Sequence, residues 1–341
     1  MKLFSKKIIT YLCLYLGGIF VTSADATKPI DLEEDVQISV AVPPVESPPL
    51  EIIVISDLNE SYGSTTYGEP TRAAVQYIID KKPDIVLVTG DMVAGQRKNL
   101  NYQAMWQSFH KAVTIPLRQH GIALAVTPGN HDASAYKAFS TERNIFVEEW
   151  LQYKPEVQFI DDSQYPLYYA FKMDDVLFVS LDDTIIESMN DIQFAWLSDI
   201  LETPAKKRIV FGHLPLYPVA QGRETEYIKD SRLVSLFQQT HVDAFISGHH
   251  HSYFPGIQNQ LQLVAVPCLG AGSRKLIGTE DVSAKGIVEL TITDQEIVVE
   301  ALNANNNFHV IPKDTLPYYI EHNDNVIWRD DIEVFSFISK N

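Results

Sequence analysis

Asp84-Ile85-Val86-Leu87-Val88-Thr89-Gly90-Asp91 is the stretch on which the reading of this chain turns. Four consecutive aliphatic residues leave no polar side for solvent, as in a strand covered on both faces of a parallel sheet. Gly90 then permits a tight turn with close backbone approach. Asp91 follows at the strand's carboxyl end, where open α/β sheets keep their ligands. Five other apolar runs end the same way: 51–56 before Asp57, 122–127 before Asn130 and His131, 176–181 before Asp182, 208–212 before His213, and 243–247 before His249 and His251. One end of the sheet is expected to collect carboxylate, amide and imidazole donors.

Between these runs, residues 70–81, 102–113, 141–153, 191–201 and 231–240 carry apolar side chains at helical spacing. Strand and helix alternate, which predicts a layered α/β fold. Residues 261–266, 287–292 and 296–301 read as further strands, the last two joined by the turn Thr293-Asp294-Gln295, so a mixed sheet is expected there. Trp106, Trp150 and Trp196 fall in helical patterns and are expected in the core.

The 341 residues include 27 Lys and Arg against 44 Asp and Glu, a net charge of −17. Residues 1–26 have the layout of a secretory signal peptide: Lys2, Lys6 and Lys7, an apolar stretch from Ile8 to Val21, and Ala24-Asp25-Ala26 as a cleavage site. That stretch is shorter than the roughly 20 residues that span a bilayer, so no stable membrane span is expected after cleavage near Ala26. The expected destination is secreted or periplasmic. The mature chain would have 24 basic and 43 acidic residues, and such a surface repels nucleic acid. It leaves Cys268 as the single cysteine, so no intramolecular disulfide forms. Residues 27–49, rich in Pro and acidic side chains, read as a linker, 50–302 as the catalytic domain, and 303–341 as a C-terminal extension packed on it, without functional reading.

Oxygen and imidazole donors together suit zinc, manganese, iron or nickel. Two such ions about 3.5–4 Å apart lower the pKa of a shared water and neutralise phosphoryl oxygens, and a bridging carboxylate holds them at that distance. Asp91 is the candidate bridge. Taken singly, Asp57 or Asp91 could equally cap a turn, and His213 could be a satisfied core histidine.

In order along the chain come Asp57-Leu58-Asn59, Gly90-Asp91, Gly129-Asn130-His131-Asp132, Gly212-His213 and Gly248-His249-His250-His251. This series resembles the calcineurin-like metallophosphoesterase superfamily, whose pattern is D-x-H, G-D, G-N-H-[DE], a lone His and G-H-x-H. The resemblance covers about residues 51–252 and implies a layered α/β/β/α sandwich with mixed β-sheets. It implies two divalent metal ions, Asp57, Asp91 and His251 holding one, and Asp91, Asn130, His213 and His249 the other. His131 would protonate the leaving group or steady the transition state, with Asp132 orienting its imidazole. The implied function is hydrolysis of small phosphomonoesters or phosphodiesters through a metal-bridging hydroxide.

Asn59 stands where that family usually has a histidine. The first metal position is therefore weaker, altered in preference, or completed by another residue such as Tyr62. Purple acid phosphatases also lack that histidine but carry a tyrosine shortly after the bridging aspartate, where this chain has Met92-Val93-Ala94. Arg223 and Arg274 are the candidates for gripping substrate phosphate. Asp182 and Asp183 read as supporting or capping residues, and His250 should point away from the site. A catalytically weak, phosphoesterase-like binding scaffold is the alternative reading, and a nuclease is the least compatible with the charge.

Overall fold

The computed structural model describes residues 48–333. The expected signal peptide and nearly all of the expected linker lie outside the described residues. Strands Leu50–Ile55, Ile85–Val88 and Leu124–Val126 pair in parallel, and Gly286–Ile292, Ile297–Asn303 and His309–Val310 extend the same sheet on the other side of Leu50–Ile55. The second sheet is built on the parallel strands Val176–Ser180, Lys207–Phe211, Ala244–Ser247 and Leu261–Ala265. Tyr168–Met173 and Gln158–Gln164 flank it antiparallel on one side, and Phe254–Gln258, Asn325–Arg329 and Tyr319–His322 on the other.

The two sheets face each other across one core. Ile53 and Val86 of the first pack with Phe171, Phe178, Phe211 and Ile246 of the second, all essentially inaccessible to water. The outer face of the second sheet is covered by Asp191–Leu201 and Ser231–Gln239, which bury Leu197, Leu201, Leu233 and Phe237 against Leu177 and Phe245. Helices Glu69–Lys81, Tyr102–Phe109 and Ser140–Gln152 pack their apolar stripes with the first cluster, which includes Trp106 and Trp150. The order is α/β/β/α, with mixed sheets. Trp196 is partly buried against the second cluster.

Two stretches differ from the sequence reading. The helix expected over 102–113 continues as a π-helical turn, His110–Thr114, and a short helix, Ile115–Gln119. Pro116 supplies no backbone N–H, and the widened turn directly precedes it. Residues 303–333, read as an extension packed on the domain, are built into both sheets, contributing the edge strand His309–Val310 to one and the hairpin Tyr319–Arg329 to the other. Their short strands and mixed polarity carry no clear period of two, which hid them in the sequence. Among the described residues no helix is long and apolar enough to cross a membrane.

Candidate metal centre

Parallel register decides where the polar residues meet. Ile55, Val88 and Val126 lie side by side in one sheet, and Ser180, Phe211 and Ile246 in the other. The segments that follow therefore leave the sandwich at a common end. Asp57 donates its amide to Gly90 O (3.1 Å), and Asn59 donates its amide to Asp91 O (3.1 Å). Gly90, with φ +86°, has no room for a side chain: a Cβ there would stand 2.7 Å from Gly129 Cα and from His213 Nδ1.

Four prospective ligands are held in the left-handed backbone region, Asp57 (φ 50°), Asp91 (55°), His249 (62°) and His251 (52°). Each costs about 1 kcal/mol or more for a residue with a Cβ, and such conformations persist where the surroundings impose them. The consequence is directional. It turns side chains from two sheets toward one point, and a donor atom each from Asp57, Asp91 and His251 lie within 4.8 Å of one another.

Each histidine at this point has one ring nitrogen committed outward. His213 Nδ1 donates to Thr89 O (2.8 Å), His249 Nε2 to Glu226 Oε2 (2.9 Å) and His251 Nδ1 to Gly272 O (3.1 Å). Their inward atoms meet acceptors: His213 Nε2 is 2.9 Å from Asn130 Oδ1, 3.4 Å from Asp91 Oδ1 and 3.2 Å from His249 Nδ1. His251 Nε2 is 3.0 Å from Asp57 Oδ1, yet that oxygen is buried without a well-directed hydrogen bond. Lone pairs converging on one buried point require positive charge. The donor set fits divalent cations, with the outward bonds fixing each tautomer.

The electrostatics agree. Burial opposes ionisation of Asp57 and Asp91, but neighbouring histidines outweigh it and hold both carboxyls below their ordinary range. Burial likewise opposes charge on His213, while Asp91 and Asp57 push it up to about 10. His251 is raised by Asp57 against the same burial cost. In the metal-free protein a proton thus occupies the place a cation would take. His249 goes the other way, to about 4, because burial dominates.

Asn59 is buried, held by its backbone between Asp91 O and the amide of Ala271 (2.9 Å), and its side chain makes no hydrogen bond among the described residues. Tyr62 is half exposed, its ring 5.4 Å from that of His131 with the Arg97 guanidinium over it at 4.1 Å. It stands beside His131 in the lining of the cleft. His250 is turned away, as its Nδ1 accepts from Val219 N (3.1 Å) and its Nε2 donates to Glu226 O (2.8 Å). His131 lies 3.9 Å from Asp91 Oδ2 and lines a cleft of about 280 Å³ with Asn130, His249, Arg223 and Tyr62.

Asp132 requires a correction. Its carboxylate accepts from Val93 N (3.0 Å) and Gly129 N (3.2 Å), whereas His131 Nδ1 faces Gly95 O (3.4 Å). Asp132 therefore ties two loops together, and the Gly95 carbonyl is the ring's neighbour. Asp183 buttresses the next loop by accepting His213 N (2.7 Å), and burial raises it to about 7. Asp182 pairs with Arg143. Glu226 was not legible in the sequence. It sits in a polar loop, Gly222-Arg223-Glu224-Thr225-Glu226-Tyr227, and nothing in that string separates it from Glu224. Hydrogen bonding from His249, opposed by burial and aided by Arg223, lowers it to about 2. Cys268 is buried and free.

A family model for calcineurin-like phosphoesterases matches residues 50–253, more than half of the chain. A serine/threonine-protein phosphatase, CPPED1 of Danio rerio, is 25% identical over 237 residues, which span 62% of this chain and 71% of that protein. Among solved structures, purple acid phosphatase PPD1 from yellow lupin superposes with a TM-score of 0.59 at 17% identity, over 78% of this chain and 53% of its own. This chain thus spans about half the length of the lupin protein. GAP50, the anchor in the inner membrane complex of Plasmodium, superposes at 0.54 and 16% identity, over 80% of this chain and 92% of its own. Those two likenesses show the fold. The chain belongs to the calcineurin-like phosphoesterase family, a hydrolase of phosphoric esters that binds divalent metal.

Proposed function

We propose that this family member is an exported hydrolase of small phosphoesters whose site holds two divalent ions drawn from manganese, iron, zinc or nickel. The observation that supports the two-ion reading is the approach of His251 Nε2 to Asp57 and of His213 Nε2 to Asp91, with His249 Nδ1 beside His213 Nε2. Asp57, Asp91 and His251 would hold one ion, and Asp91, Asn130, His213 and His249 the other. When bound, such ions neutralise phosphoryl charge and lower the pKa of a coordinated water.

The chain's own residues supply the rest. Asn130 presents Oδ1 inward while its Nδ2 donates to Gln96 Oε1 (3.1 Å), so the amide offers its acceptor to the cation. His131, at the cleft wall, would give a proton to the departing alcohol oxygen. Arg223 and Arg274 would grip phosphoryl oxygens. The cleft volume of about 280 Å³ suits a small ester, and the net charge of −17 disfavours polyanions. Export rests on the leader-like residues 1–26 alone.

Metal analysis of purified protein with an aryl phosphate assay tests this reading. About two ions per chain with turnover are expected, and Asp91→Ala and Asn130→Ala should each lower turnover by on the order of a thousandfold, as for loss of a principal charge-stabilising group. Turnover equal to wild type in both variants, folded by circular dichroism, would remove it. Sequencing the amino terminus of the expressed protein tests export, and a start at Met1 refutes it.

A further inference from the structure

The strands that run to the metal centre also have a far end, and a second recess opens there. Lys207 begins the strand that leads through Phe211 to His213, and Asp243 precedes the strand Ala244–Ser247 that leads to His249. With Gln262, Glu296, Lys313 and Asp330 they line a cavity of about 350 Å³ whose wall comes from both sheets. At a rise of about 3.3 Å per residue, the strands place it on the order of 15 Å from the metal ligands. The phosphoryl chemistry makes no use of it.

Its wall is incompletely paired. The Asp330 side chain is only 8% exposed; its Oδ2 accepts from Lys313 Nζ (2.7 Å), while Oδ1 is buried with no hydrogen-bond partner. Gln262 Oε1 is buried and unpartnered in the same way. The orientation of that amide is fixed, because Nε2 donates to Ile297 O (3.0 Å) and an inverted amide would set oxygen against oxygen. A buried acceptor left unmet costs about 1–3 kcal/mol, more when it is charged. Burial is the largest influence on the Asp330 carboxyl and raises it, with the hydrogen bond and charge of Lys313 opposing. Lys207 is engaged with Asp243 (3.1 Å) and Lys313 with Asp330, whereas Glu296 forms no ion pair among the described residues. Two ammonium groups thus stand against three carboxylates in the lining, which leaves it one negative charge in excess.

That balance says what would complete the wall. The unmet groups are acceptors, so the ligand must bring hydrogen-bond donors, and one positive charge neutralises the lining. A bare metal ion fits less well, since the described residues spaced for one are Asp57, Asp91 and His251 and not these. A primary ammonium group carries three donors and no acceptor. Ile257, Ile297 and Val299 in the same lining offer apolar surface to the carbon chain it is attached to. We propose that this recess binds a primary alkylammonium compound, its head group donating to Asp330 Oδ1 and Gln262 Oε1. The site is separate from the metal centre and stands or falls independently of the phosphoesterase reading.

Calorimetric titration of the metal-loaded full chain with 1,4-diaminobutane tests this, with sorbitol and magnesium chloride as comparison probes. Sodium chloride at about 0.15 M screens diffuse attraction of cations to a chain of net charge −17. One equivalent should bind with a Kd at or below about 1 mM. Asp330→Asn should weaken binding by about 10–100-fold, the loss of a charge-assisted hydrogen bond. Glu296→Gln, at an exposed position where the fold is not at stake, should weaken it by about two- to fivefold. Absence of saturable one-to-one binding overturns the proposal, as does a Kd unmoved by both substitutions. Sorbitol or magnesium binding with the same dependence on Asp330 also overturns it, because the site would then not select an ammonium. If Asp330→Asn fails to fold, a Kd unchanged in Glu296→Gln decides against it.

Discussion

Glu226 Oε2 lies 2.9 Å from His249 Nε2, and this contact decides which nitrogen of His249 faces the site. A carboxylate held at about pH 2 is an acceptor only, so Nε2 carries the hydrogen and Nδ1 keeps its lone pair inward, 3.2 Å from His213 Nε2. Replacing Glu226 by Ala should weaken binding of one of the two metal equivalents by about 10–100-fold, the range for loss of such an orienting partner. Glu226→Gln keeps an acceptor oxygen and should recover most of that affinity. Equilibrium dialysis against zinc or manganese reads both, and equal affinity in wild type and Glu226→Ala would show that the contact does not set the tautomer.

Gly90 and Gly121 separate strain from collision. Both have positive φ, +86° and +76°, but a Cβ at Gly121 meets nothing within 4 Å, whereas at Gly90 it meets Gly129 and His213 at 2.7 Å. Gly121→Ala should cost about 1 kcal/mol of stability from backbone strain. Gly90→Ala should cost about 1–3 kcal/mol beyond that and displace His213. Urea unfolding midpoints measure the pair, and similar shifts for both variants contradict the reading of a crowded turn.

In the metal-free protein the buried histidines by themselves set a stability maximum near pH 6.5, and Asp183, raised by burial to about 7, subtracts from it as pH rises from about 4 toward 7. His249 and His250 are lowered by burial to about 4 and 3, so the unfolded chain binds more protons below its histidine pKa, and stability is lost as pH falls from about 6.5 toward 4. His213 is raised to about 10, so the folded state binds more protons above 6.5, and the stability it contributes is lost as pH rises toward 10. The depressed Asp57 and Asp91 add a loss at still lower pH, as their protonation approaches. Saturating divalent cation should flatten the alkaline limb, because the cation then occupies the place of the proton on His213. Denaturant midpoints against pH, with chelator and with metal, provide the measurement. An alkaline limb equally steep in both conditions contradicts this account.

Much of the molecule was legible from residue order alone. The apolar runs at 51–56, 85–88 and 208–212 and the helical spacing at 70–81 and 191–201 are local signals, set by which faces of a segment must be dry. The ligand series from Asp57 to His251 was legible because short strands must place the residues that follow them at one edge. Gln158–Gln164 was not, since its mostly exposed polar residues give no apolar alternation. Asp132 was misread because adjacency to His131 suggests contact, while the helical turn Asn130–Ala133 sends its carboxylate to Val93 and Gly129.

Sequence by itself therefore determined the layering, the strands and the chemical types of donor, since these follow from hydrophobic period and from which atoms can bind a hard cation. Tertiary structure alone decided which nitrogen of each histidine faces inward, that Glu226 supports His249, and that Arg223 pairs with that same carboxylate. Those relations join residues far apart in the chain, and the distances and left-handed turns that set them exist only once both sheets are packed.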